Sequence, residues 1–195
     1  MSLTKGFYYF AYGSNLLAYR IKLDNPSARY IGVGMLIDYK LVFCKRDHKC
    51  PWGYCSATAS IEPSPGGIVY GTIWQLANED MVSLDKQEGV PDLYQPFTVD
   101  VSLLSSTEPV TIEKNFSCRT YSMSTEEYGD PSAYYLDVIL RGAKKSGIPE
   151  DYVAKMRKIK FSHCQDKCAI YEKLLEMMPP DERGHPEIPQ VLKNI

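Results

Sequence analysis

The order of local patterns along the 195 residues limits the fold more than any other feature: β-rich segments predominate as far as Met123, and segments with helical spacing predominate after Pro131. Phe7–Tyr12 is β-rich and stops at Gly13, and Leu16–Leu23 has the apolar spacing of a short helix. Asn25-Pro26-Ser27 breaks the chain, and Arg29–Cys44 reads as extended, with two strands around Gly32 and Gly34. Lys45–Tyr54 has a loop pattern. Tyr54–Ile61 and Ile68–Leu76 flank Pro63-Ser64-Pro65-Gly66-Gly67, which predicts a hairpin. Ala77–Asp80 supplies cap and first-turn acidic residues for a helix over Met81–Glu88, closed by Gly89 with Pro91 beyond. Strands are predicted at Phe97–Leu104, Val110–Glu113 and Phe116–Met123, and helices at Ser132–Lys145, Pro149–Ile159 and Asp166–Met178. The tail Pro179–Ile195 holds four of the 13 prolines and reads as an extended surface segment. Strands first, with short links, and helices last predict an α+β fold built on a mainly antiparallel sheet or small closed barrel.

The length suits one domain over 1–195 with a core large enough to bury most of the unfolded surface. A net charge of −2, with Lys and Arg dispersed, argues against nucleic acid as a partner. No apolar run approaches the ~20 residues that span a bilayer, and the N-terminus lacks a signal-peptide pattern, so a cytoplasmic protein without membrane attachment is expected. In that compartment the six cysteines are reduced thiols. The excess of tyrosine, 15 residues, suits either strand edges or a wet cleft, because the side chain joins an apolar body to a polar tip.

Three constellations carry chemistry. Cys44, His48, Cys50 and Cys55 fall close together, with His163, Cys164 and Cys168 later. Their spacing lacks a repeated Cys-x2–4-Cys knuckle, so small buried hydrophobes are expected and no metal. Ser14 follows a strand and a glycine, yet Gly-x-Ser-x-Gly is absent. The strand–turn–helix at Tyr12-Gly13-Ser14-Asn15 can present backbone N–H groups to an anion, or serve as a plain connector. In Leu84–Val90, LDKQEGV, Asp85 and Glu88 are three apart and share a helix face. Glu88 stands at the negative end of the helix, where a carboxylate is either simply solvated or raised in pKa for acid–base work.

Taken together, YFAYGSNLL, NPSA, SLDKQEGV and RGAKKSGIP (Arg141–Pro149) resemble the animal γ-glutamylcyclotransferases, in order, from about Phe7 to about Leu174. The turn alone is shared with γ-glutamylamine and glutathione-specific cyclotransferases; LDxQEGV with GAKxxGxP is more selective. The resemblance implies a small mixed β-barrel of about six strands with peripheral helices, often a homodimer, needing no cofactor. It implies a cyclising, amide-cleaving reaction, of lyase or acyltransferase type, in which a γ-glutamyl-amino acid gives 5-oxoproline and a free amino acid. The substrate's α-amine attacks its own γ-carbonyl, so the protein supplies a base and a mould rather than a nucleophile.

By that correspondence Glu88 is the general acid/base. Backbone N–H groups of Tyr9, Phe10, Ala11, Tyr12, Gly13, Ser14 and Asn15 bind either the α-carboxylate or the developing oxyanion of the γ-glutamyl group. Tyr135, with Tyr134 as its neighbour in register, stands at the pocket rim. Lys45–Tyr54 departs from the animal pattern, and GVPDLYQP is about a residue shorter than its counterpart, which puts the leaving-group pocket and hence substrate choice in question. Turnover of γ-glutamyl-ε-lysine or of glutathione, or a non-catalytic barrel that binds such metabolites, are the competing readings.

Overall fold

Five strands close into a barrel in the computed structural model, which describes residues 6–45, 50–53, 56–106, 115–125, 127–162, 167–189 and 191. They are β1 (Gly6–Ala11), β2 (Arg29–Cys44), β3 (Thr58–Ala77), β4 (Tyr94–Ser106) and β5 (Asn115–Met123), arranged β1-β3-β2-β4-β5. All neighbours are antiparallel except the closing pair, β1 with β5, so the barrel is mixed. Around it lie α1 (Ala18–Asp24), α2 (Asp80–Glu88), α3 (Ala133–Ser146), α4 (Glu150–Met156), α5 (Ala169–Met177) and α6 (Pro180–Arg183), with a 3₁₀ turn at Ser14–Leu16.

The period-2 pattern is plain in β5, where Phe116, Cys118 and Thr120 are buried between exposed or half-exposed neighbours. Tyr121 breaks the alternation because α2 covers the outer face there, and its hydroxyl donates to Asp85 Oδ1 at 2.6 Å. The main core fills the barrel with Phe10, Val33, Ile73 and Val101 and runs on beneath α3, whose residues Tyr134–Ala143 are all buried. A smaller cluster of Tyr9, Trp74, Leu84, Tyr94 and Tyr121 lies on the α2 side. Gly142 is where α3 meets the 3₁₀ turn: a Cβ there would stand 2.5 Å from Leu17 N and 2.6 Å from Leu16 C.

The strand count differs from expectation, and the reason is local. Arg29–Cys44 is one strand, because Gly32 and Gly34 sit at register shifts that bend the strand without ending it. The expected hairpin across Pro63–Gly67 does not form. Both arms pair with β2 instead, Thr58–Pro63 with Tyr39–Cys44 and Ile68–Gln75 with Arg29–Ile37. Ser64–Gly67 forms an excursion opposite Asp38, which has φ 62° and accepts from Gly66 N at 2.8 Å. The β2–β3 ribbon bends there, and its tip leans over β4 and β5: Met123 N donates to Ser60 Oγ at 2.9 Å, and Tyr94 Oη to Ala59 O at 2.6 Å.

The predicted strand Val110–Glu113 lies outside the described residues. The tail is more than an extended surface segment: Pro180–Arg183 is helical, and Ile188 and Val191 are buried. Proline at the first helical position costs no hydrogen bond, which reconciles the composition with the helix. No helix among the described residues is long and apolar enough to cross a membrane.

Candidate active site

β1 ends at Ala11, and the chain turns through Gly13 into the short helix over Ser14–Leu16, with Leu16 N donating to Gly13 O at 3.0 Å. The turn faces the C-terminal end of α2. Gly89 ends that helix in the left-handed region, φ 71°, a conformation that costs glycine little, and its N–H returns to Asp85 O and Lys86 O. Glu88 is thus held on the last turn, facing the β1 end. Between the two lies a cleft of about 30 Å³ lined by Tyr9, Tyr12, Gly13, Ser14, Asn15, Ala59, Glu88, Tyr94, Tyr121 and Tyr135.

Asn15 joins its halves. Its side-chain amide Nδ2 donates to Glu88 Oε1 at 3.0 Å and to Tyr9 Oη at 3.1 Å, and its Oδ1 accepts from Gln87 Nε2 at 2.9 Å. Trp74 Nε1 fixes the Asn15 backbone by donating to its carbonyl at 3.0 Å. Behind Gln87, Asn25 Nδ2 donates to Gln87 Oε1 at 2.9 Å. Asp85, one turn before Glu88, accepts both a bidentate contact from Arg119 NH2 at 2.7 and 2.9 Å and the Tyr121 hydroxyl. Each polar position of DKQE other than Lys86 therefore has an inward task. Asp85 ties α2 to β5, Gln87 ties it to the β1 turn and to Asn25, and Glu88 enters the cleft.

The tyrosines supply the rest of the wall. Tyr135 Oη accepts from Ala59 N at 3.1 Å, its ring rests against Trp52 at 5.1 Å between centroids, and its backbone is fixed by the Ser132 cap, which accepts from Tyr135 N at 3.2 Å. Ser132 Oγ in turn donates to Trp52 O at 2.6 Å, so the 50–53 loop props the start of α3. Tyr12 Oη donates to Tyr121 O. Burial pushes the Tyr9 and Tyr12 hydroxyls well above the ordinary phenol range, with the neighbouring Glu88 adding to the rise in each. Burial and the hydrogen bond to Asp85 do the same for Tyr121. All three are neutral donors at physiological pH, so the wall of the cleft can receive an anion without itself becoming charged.

Seven of the positions expected from the sequence, Tyr9, Tyr12, Gly13, Ser14, Asn15, Glu88 and Tyr135, meet at this cleft. Phe10 and Ala11 are fully buried behind it, in β1. Tyr134 points away, packed on Tyr171 at 5.0 Å between centroids. Ala59, Tyr94 and Tyr121 line the cleft and were not foreseen. They come from strands far apart in sequence, and the only hint was the tyrosine excess, five of which gather here. Of the thiol and imidazole cluster, His48, Cys55, His163 and Cys164 lie outside the described residues, whereas Cys44, Cys50 and Cys168 are buried.

In sequence and fold the chain is similar to known proteins. A model of the AIG2-like family matches residues 68–156, a span that includes Glu88 and Tyr135. The chain is 41% identical over 156 residues to the γ-glutamylcyclotransferase of Bos taurus, covering 80% of this chain and 79% of that one. It is 38% identical over 156 residues to the Homo sapiens protein of the same name, with the same coverage. A solved structure described as γ-glutamyl cyclotransferase superposes with a TM-score of 0.79 at 34% identity, covering 89% of this chain and 100% of that one.

Proposed function

The chain belongs to the γ-glutamylcyclotransferase family, and from that premise we propose that it converts γ-glutamyl-amino acids to 5-oxoproline and the free amino acid, with Glu88 carrying the proton. The observation that carries the assignment is the placing of the Glu88 carboxylate across a small cleft from the Tyr12–Asn15 turn, 3.0 Å from an amide of that same turn.

In the reaction the α-nitrogen forms a bond to the γ-carbonyl carbon as the amide C–N bond breaks. Two protons leave the α-nitrogen and two arrive on the departing nitrogen, so no water is consumed. Glu88 takes a proton from the α-ammonium group and returns one to the leaving amine, help worth ~10²–10⁴ in rate. The backbone N–H groups of the Tyr9–Asn15 segment, Gly13 to Asn15 foremost, hold oxygens of the γ-glutamyl group, and the phenols of Tyr9 and Tyr135 bound it laterally. Glu88 and the Tyr12–Asn15 turn, facing each other across the cleft, hold the γ-glutamyl unit curled, which brings nucleophile and carbonyl together before any chemistry begins. The amide donors of Asn15 and Gln87 suit a proton carrier because they orient a carboxylate without fixing its charge as a cation would.

The chain is read as one domain, which its length suits, acting in the cytosol, and as a homodimer, which the family resemblance implies. Incubation with γ-Glu-Ala, γ-Glu-ε-Lys and glutathione, following 5-oxoproline, tests the substrate class. Turnover is expected with γ-Glu-Ala; turnover of glutathione alone or of γ-Glu-ε-Lys alone assigns the chain to the corresponding relative, and turnover of none contradicts an enzyme of this kind.

A further inference from the structure

A second pocket lies beside the cleft, on the rim where the tip of the β2–β3 ribbon meets the start of β4 and the end of β5. It measures about 160 Å³ and is lined by Lys45, Asp92, Leu93, Met123, Ser124, Thr125 and Glu127. The two spaces share a wall. Tyr94 lines the first and Leu93 the second. Tyr121 lines the first, and Met123, two residues on along the same face of β5, lines the second. Thr58 stands between them, accepting from or donating to Tyr94 Oη at 3.0 Å and lying 3.5 Å from Met123 Sδ. The loop that walls the second pocket is also the one that leaves Glu88, and Leu93 N is tied to Gly89 O at 2.8 Å.

Lys45 follows Cys44, the last residue of β2, and its backbone is pinned by Lys45 N donating to Glu127 O at 2.8 Å. Its stem lies against Gly129, where a Cβ would come within 2.8 Å of Lys45 Cγ. Among the described residues no carboxylate lies within ion-pair distance of its ammonium group, although Lys40, Lys144 and Lys145 each have one. An ammonium group whose stem packs on Gly129, in a polar pocket beside the cleft, matches one feature of the reaction. The departing amino acid carries a free α-carboxylate separated by a single carbon from the nitrogen that is released. Asp92 and Glu127, on the other walls, repel an acidic side chain and accept a neutral or basic one.

Resting on the reaction assigned above, we propose that this pocket is the subsite for the leaving amino acid: Lys45 binds its α-carboxylate, and Asp92 with Glu127 select against acidic side chains. Lys45 is then a specificity residue supplied by the segment that departs from the animal pattern, and the substrates are γ-glutamyl dipeptides rather than γ-glutamyl amides of simple amines.

The test is steady-state kinetics of the full chain and of Lys45→Gln and Lys45→Arg on γ-Glu-Ala, γ-Glu-Lys, γ-Glu-Glu and γ-glutamylethylamide, which lacks the carboxylate. Expected are a KM for γ-Glu-Ala raised about tenfold in Lys45→Gln with kcat within about twofold, near-full rescue in Lys45→Arg, and no comparable change on the ethylamide. The wild type should prefer γ-Glu-Lys to γ-Glu-Glu, and Asp92→Asn with Glu127→Gln should narrow that gap. Equal effects of Lys45→Gln on γ-Glu-Ala and the ethylamide, or no effect on either, would overturn the subsite while leaving the reaction intact. Absence of 5-oxoproline from every substrate with the wild type would overturn both.

Discussion

Two carboxylates in this molecule have been given opposite surroundings. Asp137, on α3, is wholly buried and accepts from Arg141 Nε at 2.6 Å, from Tyr171 Oη at 2.8 Å and from Ile188 N at 2.9 Å. Arg141 continues outward to Glu182 O at 2.7 Å, so one anion ties α3, α5 and the C-terminal segment together. Glu88, at the end of α2, is half-exposed and takes its named contacts, from Asn15 and Gln87, as amide donors on one oxygen, at 3.0 and 3.5 Å. The Asp137 arrangement closes a carboxylate between a guanidinium, a phenol and a backbone amide and serves the fold. The Glu88 arrangement orients a carboxylate at the edge of a cleft, as the proposed proton transfer requires. A buried acid closed round by a cation and a backbone amide serves the structure, whereas an acid at the edge of a cleft, oriented by amide donors, is placed where a substrate can reach it.

The comparison breaks first at Asp137. Asp137→Ala should lower stability by about 3–5 kcal/mol in denaturant unfolding, because Arg141 is left buried without its partner, while turnover per folded molecule stays near that of the wild type. A large loss of turnover with unchanged unfolding would erase the distinction between the two acids. Gly142→Leu sharpens it by joining the regions: the new side chain meets the backbone of Leu16 and Leu17 next to the turn. It should cost about 1–3 kcal/mol and lower turnover as well, read by unfolding and 5-oxoproline release on one sample.

Asn15→Leu removes the amide that positions Glu88, and a drop of ten- to a hundredfold in kcat is expected with KM less affected, the magnitude of a hydrogen bond to a charged group. Tyr135→Phe deletes the acceptor of Ala59 N. About 1 kcal/mol of stability and a fall in turnover of no more than about tenfold should follow.

The smallest effect concerns thiols outside both networks. Burial pushes Cys118 up to about 12, with Asp100 adding to the rise, and Cys168 up to about 11. Both therefore stay protonated in the folded protein after they would ionise in the unfolded chain. Stability from them is intact below about pH 9 and declines as the pH rises through the window from there to the folded values, by at most about 1.4 kcal/mol per pH unit for each thiol. Reaction with a thiol reagent at pH 8 should be slow in buffer and fast in urea at these two positions.

Much of this was legible in the chain, for identifiable reasons. Helices α3, α4 and α5 follow their apolar spacing and their caps, among them Ser132 and Gly147, and β5 follows its alternation. The motifs that point to the family also prove to be spatial partners. Asn25 of NPSA meets Gln87 of LDKQEGV, Gln87 meets Asn15 of YGSN, and Gly142 of RGAKKSGIP packs on the residues after that turn. Strand length was less legible. Pro63–Gly67 has every local mark of a hairpin turn, yet the long-range pairing of both arms with β2 outweighs it and makes it an excursion within β3. Ala59, Tyr94 and Tyr121 were illegible as site residues because their nearness to Glu88 comes from the bend in the β2–β3 ribbon and from barrel closure, neither of which has a local pattern. The docking of Ile188 and Val191 was hidden for a similar reason, since it depends on Asp137 accepting a backbone N–H 51 residues away.

The claim at the centre is that Glu88 moves the proton while the turn holds the substrate. Glu88→Gln keeps the shape and the hydrogen-bonding reach of the side chain but removes its basicity. Single-turnover release of 5-oxoproline from γ-Glu-Ala, with ligand binding followed on the same preparation, should fall by ~10²–10⁴ with binding preserved within a few fold. Wild-type turnover in that folded variant would contradict the account.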